Sequence, residues 1–115
     1  MVQATAAATD AVFHALANAT RRSVLEHLST GPATVSDLAA PFDMQLPSFV
    51  QHLAVLEESR LVRSRKHGRV RTYDIVPERF ALIDNWLLAR RQAWEARLDQ
   101  FDRYVIQLKD KETEA

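Results

Sequence analysis

Six basic residues crowd the stretch from Arg60 to Arg71, namely Arg60, Arg63, Arg65, Lys66, Arg69 and Arg71, with no acidic residue among them. Cations at this density suit a polyanion: they can neutralise the phosphates of a nucleic acid or meet an acidic protein surface. The chain as a whole is formally neutral, with fifteen Lys+Arg and fifteen Asp+Glu. Outside this stretch only nine bases therefore face fifteen acids, and the asymmetry is more informative than the net charge. Other chemistries find little support. The four histidines, His14, His27, His52 and His67, are scattered and form no ligand-spaced cluster. There is no cysteine, so neither a disulfide nor a thiolate metal site is available. Acidic pairs such as Glu57-Glu58 and Asp99-Asp102 read as solvated helix faces. A chain with two glycines offers no glycine-rich phosphate loop, and no serine sits in an elbow motif. An enzyme is not expected, and neither is a cofactor.

The elements that position the basic stretch follow from hydrophobic spacing. Residues 1–9, rich in alanine, are expected to be a disordered tail, with one folded domain over 10–108 and a charged tail over 109–115. Val12, Phe13 and Leu16 mark a short first helix. Val24, Leu25 and Leu28 mark a second, with Asn18 as its cap and Gly31-Pro32 as its stop. Thr34 caps a third, and Asp37 stands near its positive end; Pro41 closes it. A fourth runs over about 45–58 with Pro47 in its first turn. Its buried stripe is expected at Leu46, Val50, Leu53 and Leu56 or Val55, which leaves Ser48, Phe49, Gln51 and His52 toward the opposite face. Alternating residues over 61–75 around Gly68 predict a β-hairpin whose solvent side and tip carry the cations.

A last helix over about 78–108 repeats Phe80, Leu87, Trp94, Phe101 and Leu108 every seven residues, with Leu98 and Val105 in the second seam position. At ~1.5 Å per residue it is roughly 46 Å long. A domain of 100 residues has a radius of gyration of only about 13 Å, so this stripe predicts a second copy as its partner. No apolar run reaches the roughly 20 residues of a membrane span, and the N-terminus lacks the basic start and apolar core of an export signal. A soluble, cytoplasmic protein without membrane partners is the expectation. The predicted fold class is mainly α with a small β-hairpin: a winged helix-turn-helix with a long C-terminal dimerisation helix. The major groove of B-DNA, about 12 Å wide, admits one helix, and a cationic hairpin beside it can follow the phosphates.

The stretches LANATRRSVLEHL (16–28), TVSDLA (34–39), MQLPSFVQHLAVLEESRLV (44–62) and RKHGRVRTYDI (65–75) together resemble the ArsR/SmtB, or arsenic-repressor-like, winged-helix regulators. The resemblance implies a homodimeric DNA-binding repressor whose two recognition helices enter successive major grooves of a near-palindromic operator. Gln45, Ser48, Phe49, Gln51 and His52 are then the groove candidates. Phe49 could meet a thymine methyl or pack under the wing, and His52 could read a base or serve as a structural hydrogen bonder. Arg65, Lys66, Arg69 and Arg71 are the wing candidates for phosphate or minor-groove contact. Arg21 and Arg22 match a family motif and are expected to pair with nearby carboxylates. The dimer interface is assigned to Val12, Phe13, Leu16, Phe80, Leu87, Trp94, Leu98, Phe101 and Val105. Trp86 and Trp94 could line a small-molecule effector pocket, with dimer core as the favoured reading.

The departures are informative. The family often has Ser at position 45 and Ser and Lys at 50 and 51, where this chain has Gln45, Val50 and Gln51. Metal sensing in the family uses a Cys-x-Cys pair on the third helix, where this chain reads TVSDL. The other site, on the last helix, runs Asp-x-His, ten residues, His, two residues, Glu; counted from Asp84, this chain has Trp86, Arg97 and Gln100. No metal is therefore expected. The alternative to a DNA-binding regulator is a winged-helix module that binds an acidic partner protein.

Overall fold

The computed structural model describes residues 2–114; Met1 and Ala115, the outer ends of the two expected tails, lie outside the described residues. The elements are α1 (Val2–Leu16), α2 (Ala19–Leu28), β1 (Ala33–Thr34), α3 (Val35–Ala39), α4 (Leu46–Glu58), β2 (Val62–His67), β3 (Val70–Ile75), a 3-10 turn (Pro77–Phe80) and α5 (Ala81–Glu114). They divide after Ile83 into two compact units.

The capping expectations are met. Asn18 Oδ1 accepts from the backbone N–H of Arg21 at 3.1 Å, and Thr34 Oγ1 accepts from that of Asp37 at 3.2 Å. Each satisfies one of the donors that a helix start leaves unpaired. Between β2 and β3 the chain turns through Gly68 and Arg69. Gly68 has φ +64° while Arg69 stays at negative φ, the type II′ pattern, which calls for glycine first. The hairpin register pairs Val62 with Ile75, Ser64 with Tyr73, Arg65 with Thr72 and Lys66 with Arg71.

Four expectations need correction. Alanine is the strongest helix former, and the expected tail over 1–9 is helical from Val2. A third strand, β1, joins the sheet in the order β1-β3-β2 by pairing Ala33 with Tyr73 and Thr34 with Thr72. Two residues are too short to show an alternation in sequence. The buried stripe of α4 is Phe49, Leu53 and Leu56; Leu46 and Val50 are 56% and 43% exposed. Both phases give i, i+4, i+7 spacing, and the larger ring wins the interior. Finally, α5 runs on to Glu114 with no break after Leu108, because Lys109 to Glu114 contains no helix breaker.

One core holds the first unit together. Val12 and Ala15 of α1, Val24, Leu25 and Leu28 of α2, Leu38 of α3, and Phe49, Leu53 and Leu56 of α4 meet Leu61, Val62 and Tyr73 of the hairpin. Phe49 is 1% exposed and lies against Phe42, ring centroids 5.4 Å apart. At about 1.5–3 kcal/mol per buried large side chain, this cluster fixes α4 against α1, α2 and the sheet. Leu82 and Ile83 pack against the same cluster at the start of α5.

Candidate nucleic-acid interface

The turn between α3 and α4 leaves the first half of α4 facing solvent. Gln45 precedes the helix with φ −61° and ψ 138° and makes no side-chain cap bond, so its amide is free to reach outward. Ser48 and Gln51 are exposed, as sequence reasoning placed them. Phe49, expected among the groove residues, is sealed in the core and cannot reach a base edge. The exposed apolar groups beside Ser48 and Gln51 are instead Leu46 and Val50, which sequence reasoning assigned to the interior. The correct helix phase, counted from the aromatic rather than from Leu46, would have found them.

His52 is half-buried. Its Nδ1 lies 3.0 Å from Nη1 of Arg21, a buried arginine on α2. The same guanidinium donates from Nε to the carbonyl of Ala15 at 2.7 Å and from Nη2 to the carbonyl of His14 at 2.9 Å. Arg22 donates to the carbonyl of Leu16 at 2.7 Å. Arg21 and Arg22 thus bind the last carbonyls of α1, where the helix dipole favours a cation, and not the expected carboxylates. Burial, and secondly the Arg21 charge, hold the His52 imidazole below its usual pKa. No spacing signal could have revealed a contact between residues 31 apart.

The hairpin splits its cations between two faces. Register places Arg63, Arg65 and His67 on one face of β2 and Ser64 and Lys66 on the other, with Arg71 opposite Lys66 and Arg69 in the turn. Arg65, Lys66 and Arg69 are exposed, and no side chain among the described residues hydrogen-bonds them. Arg71 is also exposed, but it donates to Ser64 Oγ at 2.8 Å, and Ser64 donates to Glu57 Oε1 of α4 at 2.7 Å. This relay ties the wing to the end of α4 and commits one arginine to geometry. It also charges the surroundings of Tyr73, whose phenol is raised above its usual pKa by burial first and then by Glu57.

Of the nine residues expected at a dimer interface, Val12 is fully buried within the first unit and is unavailable. Its position on α1 points it at α2 and α4 rather than outward. Phe13 is exposed, and Leu16 and Phe80 line an open apolar depression with Leu25, Ile75 and Pro77. On α5, Leu87, Trp94, Leu98 and Phe101 are exposed and Val105 is half-exposed. Trp86 and Trp94, weighed above for an effector pocket, carry Arg90 and Arg97 over their rings at 5.7 and 5.8 Å. Among the described residues, no group of three or more His, Asp and Glu could hold a metal ion, and no helix is long and apolar enough to cross a membrane.

Comparison with known proteins agrees with this geometry. A helix-turn-helix domain family matches residues 16–65. The HTH-type transcriptional regulator Rv2034 of Mycobacterium tuberculosis is 39% identical over 64% of this chain and 69% of its own. The transcriptional repressor SdpR of Bacillus subtilis is 30% identical over 67% of this chain and 86% of its own. Among solved structures, the crystal structure of an ArsR family transcriptional regulator superposes with a TM-score of 0.75 at 51% identity. It covers 76% of this chain and 91% of that one.

Proposed function

The chain belongs to the ArsR family of DNA-binding, winged helix-turn-helix transcriptional regulators, and from that premise we propose that it is a homodimeric, metal-independent repressor of a near-palindromic operator. The observation that carries the reading is the pairing, on one rigid core, of an exposed polar-apolar face at the start of α4 with free cations on both sides of the wing. Gln45, Ser48 and Gln51 offer amides and a hydroxyl to base edges, and Leu46 and Val50 offer methyls to thymine. Arg65 and Lys66 point to opposite faces of the hairpin and Arg69 crowns it, which suits a tip lodged between the two phosphate walls of a minor groove about 6 Å wide. Arg71 serves as a brace through Ser64 rather than as a main phosphate contact.

The exposed side chains Leu87, Trp94, Leu98 and Phe101 support the dimer, because a monomer rarely leaves so long an apolar stripe in water. Trp86, Arg97 and Gln100 occupy the places that ligands would need on α5, which supports regulation without a metal. Binding-site selection from random duplexes tests the proposal. A near-palindrome with half-sites about one helical turn apart is expected. Gln51→Ala should shift the preferred base at one position of each half-site, by about 1–3 kcal/mol for a bidentate contact. A purified chain that binds no duplex at low salt would overturn the reading.

A further inference from the structure

We propose that Arg21 is a positioning residue that fixes His52 as the Nε2–H tautomer, so that this ring offers DNA a hydrogen-bond donor and never an acceptor. The inference rests on α4 being the recognition helix, but its first half stands on hydrogen-bond chemistry alone. A guanidinium has five N–H donors and no acceptor. Its Nη1 lies 3.0 Å from His52 Nδ1, so Nδ1 must present its lone pair. A neutral imidazole that accepts at Nδ1 carries its proton at Nε2. The guanidinium cannot turn aside to permit the other tautomer, because the carbonyls of His14 and Ala15 hold Nη2 and Nε at 2.9 and 2.7 Å in a buried site. The backbone of Arg21 is fixed in turn by the Asn18 cap.

The second half follows from where the other nitrogen lies. Nε2 of His52 has no hydrogen-bond partner among the described residues, and no buried side-chain nitrogen or oxygen among them lacks one. Nε2 therefore opens to solvent, one helical turn from Ser48 and next to Gln51, both exposed. Protonating the ring would turn Nδ1 into a donor facing a guanidinium, and the depressed pKa of His52 agrees with that penalty. The group that pairs with Nε2–H must be an acceptor: a purine N7, guanine O6, thymine O4 or a phosphate oxygen. The exocyclic amino groups of adenine and cytosine are excluded. Arg21, on α2 and sealed in the interior, thereby decides which DNA atoms α4 can select.

The test uses the full chain and its selected duplex. Long-range 1H–15N spectra of the free protein near neutral pH should show His52 Nδ1 as an unprotonated nitrogen and Nε2 as a protonated one, with Arg21→Met giving a mixture. A protonated Nδ1 in the wild type overturns the proposal, whether or not Arg21→Met folds. In binding, His52→Asn keeps an acceptor for Arg21 but falls short of Nε2, and should lose about tenfold in affinity. Replacing the contacted purine by its 7-deaza analogue, a guanine by 2-aminopurine, a thymine by 5-methyl-2-pyrimidinone, or one phosphate by a methylphosphonate should weaken the wild type by the same factor and leave His52→Asn unchanged. The position that couples separates a base contact from a backbone contact, and no coupling position at all refutes the donor role. If the wild type binds no duplex, the recognition reading fails, while the tautomer is still decided by the spectra.

Discussion

Removing Lys66 and Arg69 together should flatten the salt dependence of DNA binding by an amount the structure fixes. Four wing cations per protomer, Arg63, Arg65, Lys66 and Arg69, are exposed and free of internal side-chain hydrogen bonds, and the three nearest the tip, Arg65, Lys66 and Arg69, are the ones assigned to phosphates. A dimer would then neutralise about six phosphates, and at a slope near −0.9 per phosphate log K against log salt should run at about −5. Between 50 and 200 mM salt that slope is a loss of roughly 1,000-fold in affinity. Lys66→Ala with Arg69→Ala removes four of the six charges, so the slope should fall to about −2 and the same salt range should cost only about tenfold. The loss at low salt should be equal for operator and unrelated duplexes, because phosphates carry no sequence. Arg71→Ala is the internal control: it frees Ser64 and Glu57 but should change the slope less than either free cation does. The assay is fluorescence anisotropy on one duplex over a salt series, with melting checked for each variant. A slope unchanged in the double variant, with the fold intact, refutes the role given to these two side chains.

Phe49→Ala should destabilise the first unit by about 3–5 kcal/mol in urea unfolding, as the loss of a fully buried ring does; a variant with native stability and altered sequence preference would return Phe49 to the groove. Trp94→Glu with Phe101→Glu should convert a dimer to a monomer in light scattering at micromolar concentration, since both rings are more than half exposed in the single chain; a monomeric wild type would contradict the stripe. The folded pKa of His52 lies below its unfolded value of 6.5, so the unfolded chain takes up its proton first as pH falls. Stability should be full above about pH 6.5 and decline below it until the folded ring titrates. His52→Gln should flatten that part of the profile in urea midpoints measured from about pH 7.5 to 5, and an unaltered profile would deny His52 its share.

Local chemistry carried most of the architecture. Asn18 and Thr34 announced their helices because a capping oxygen acts within three residues, and Gly68 announced its turn because only a residue without Cβ takes φ +64° cheaply. The seven-residue repeat along α5 and the uninterrupted cations of the wing were legible for the same reason: each is a periodicity or a run, written in adjacent residues. What required the tertiary structure was every choice between two locally equivalent solutions. Phe49 and Val50 each continue an i, i+4, i+7 stripe, and only packing against Phe42 and the α1–α2 pair decided that the ring goes in and the valine out. Val12 and Phe13 stand side by side in sequence, yet one fills the core and the other faces water. The pairing of Arg21 with His52, and of Glu57 with Arg71 through Ser64, joins groups on different elements, and no sequence period encodes it. Caps, turns and amphipathic periods are short-range free energies that the chain states locally. Which face is buried, and which polar groups meet, depends on desolvation by partners distant in sequence, which exist only once the fold has formed.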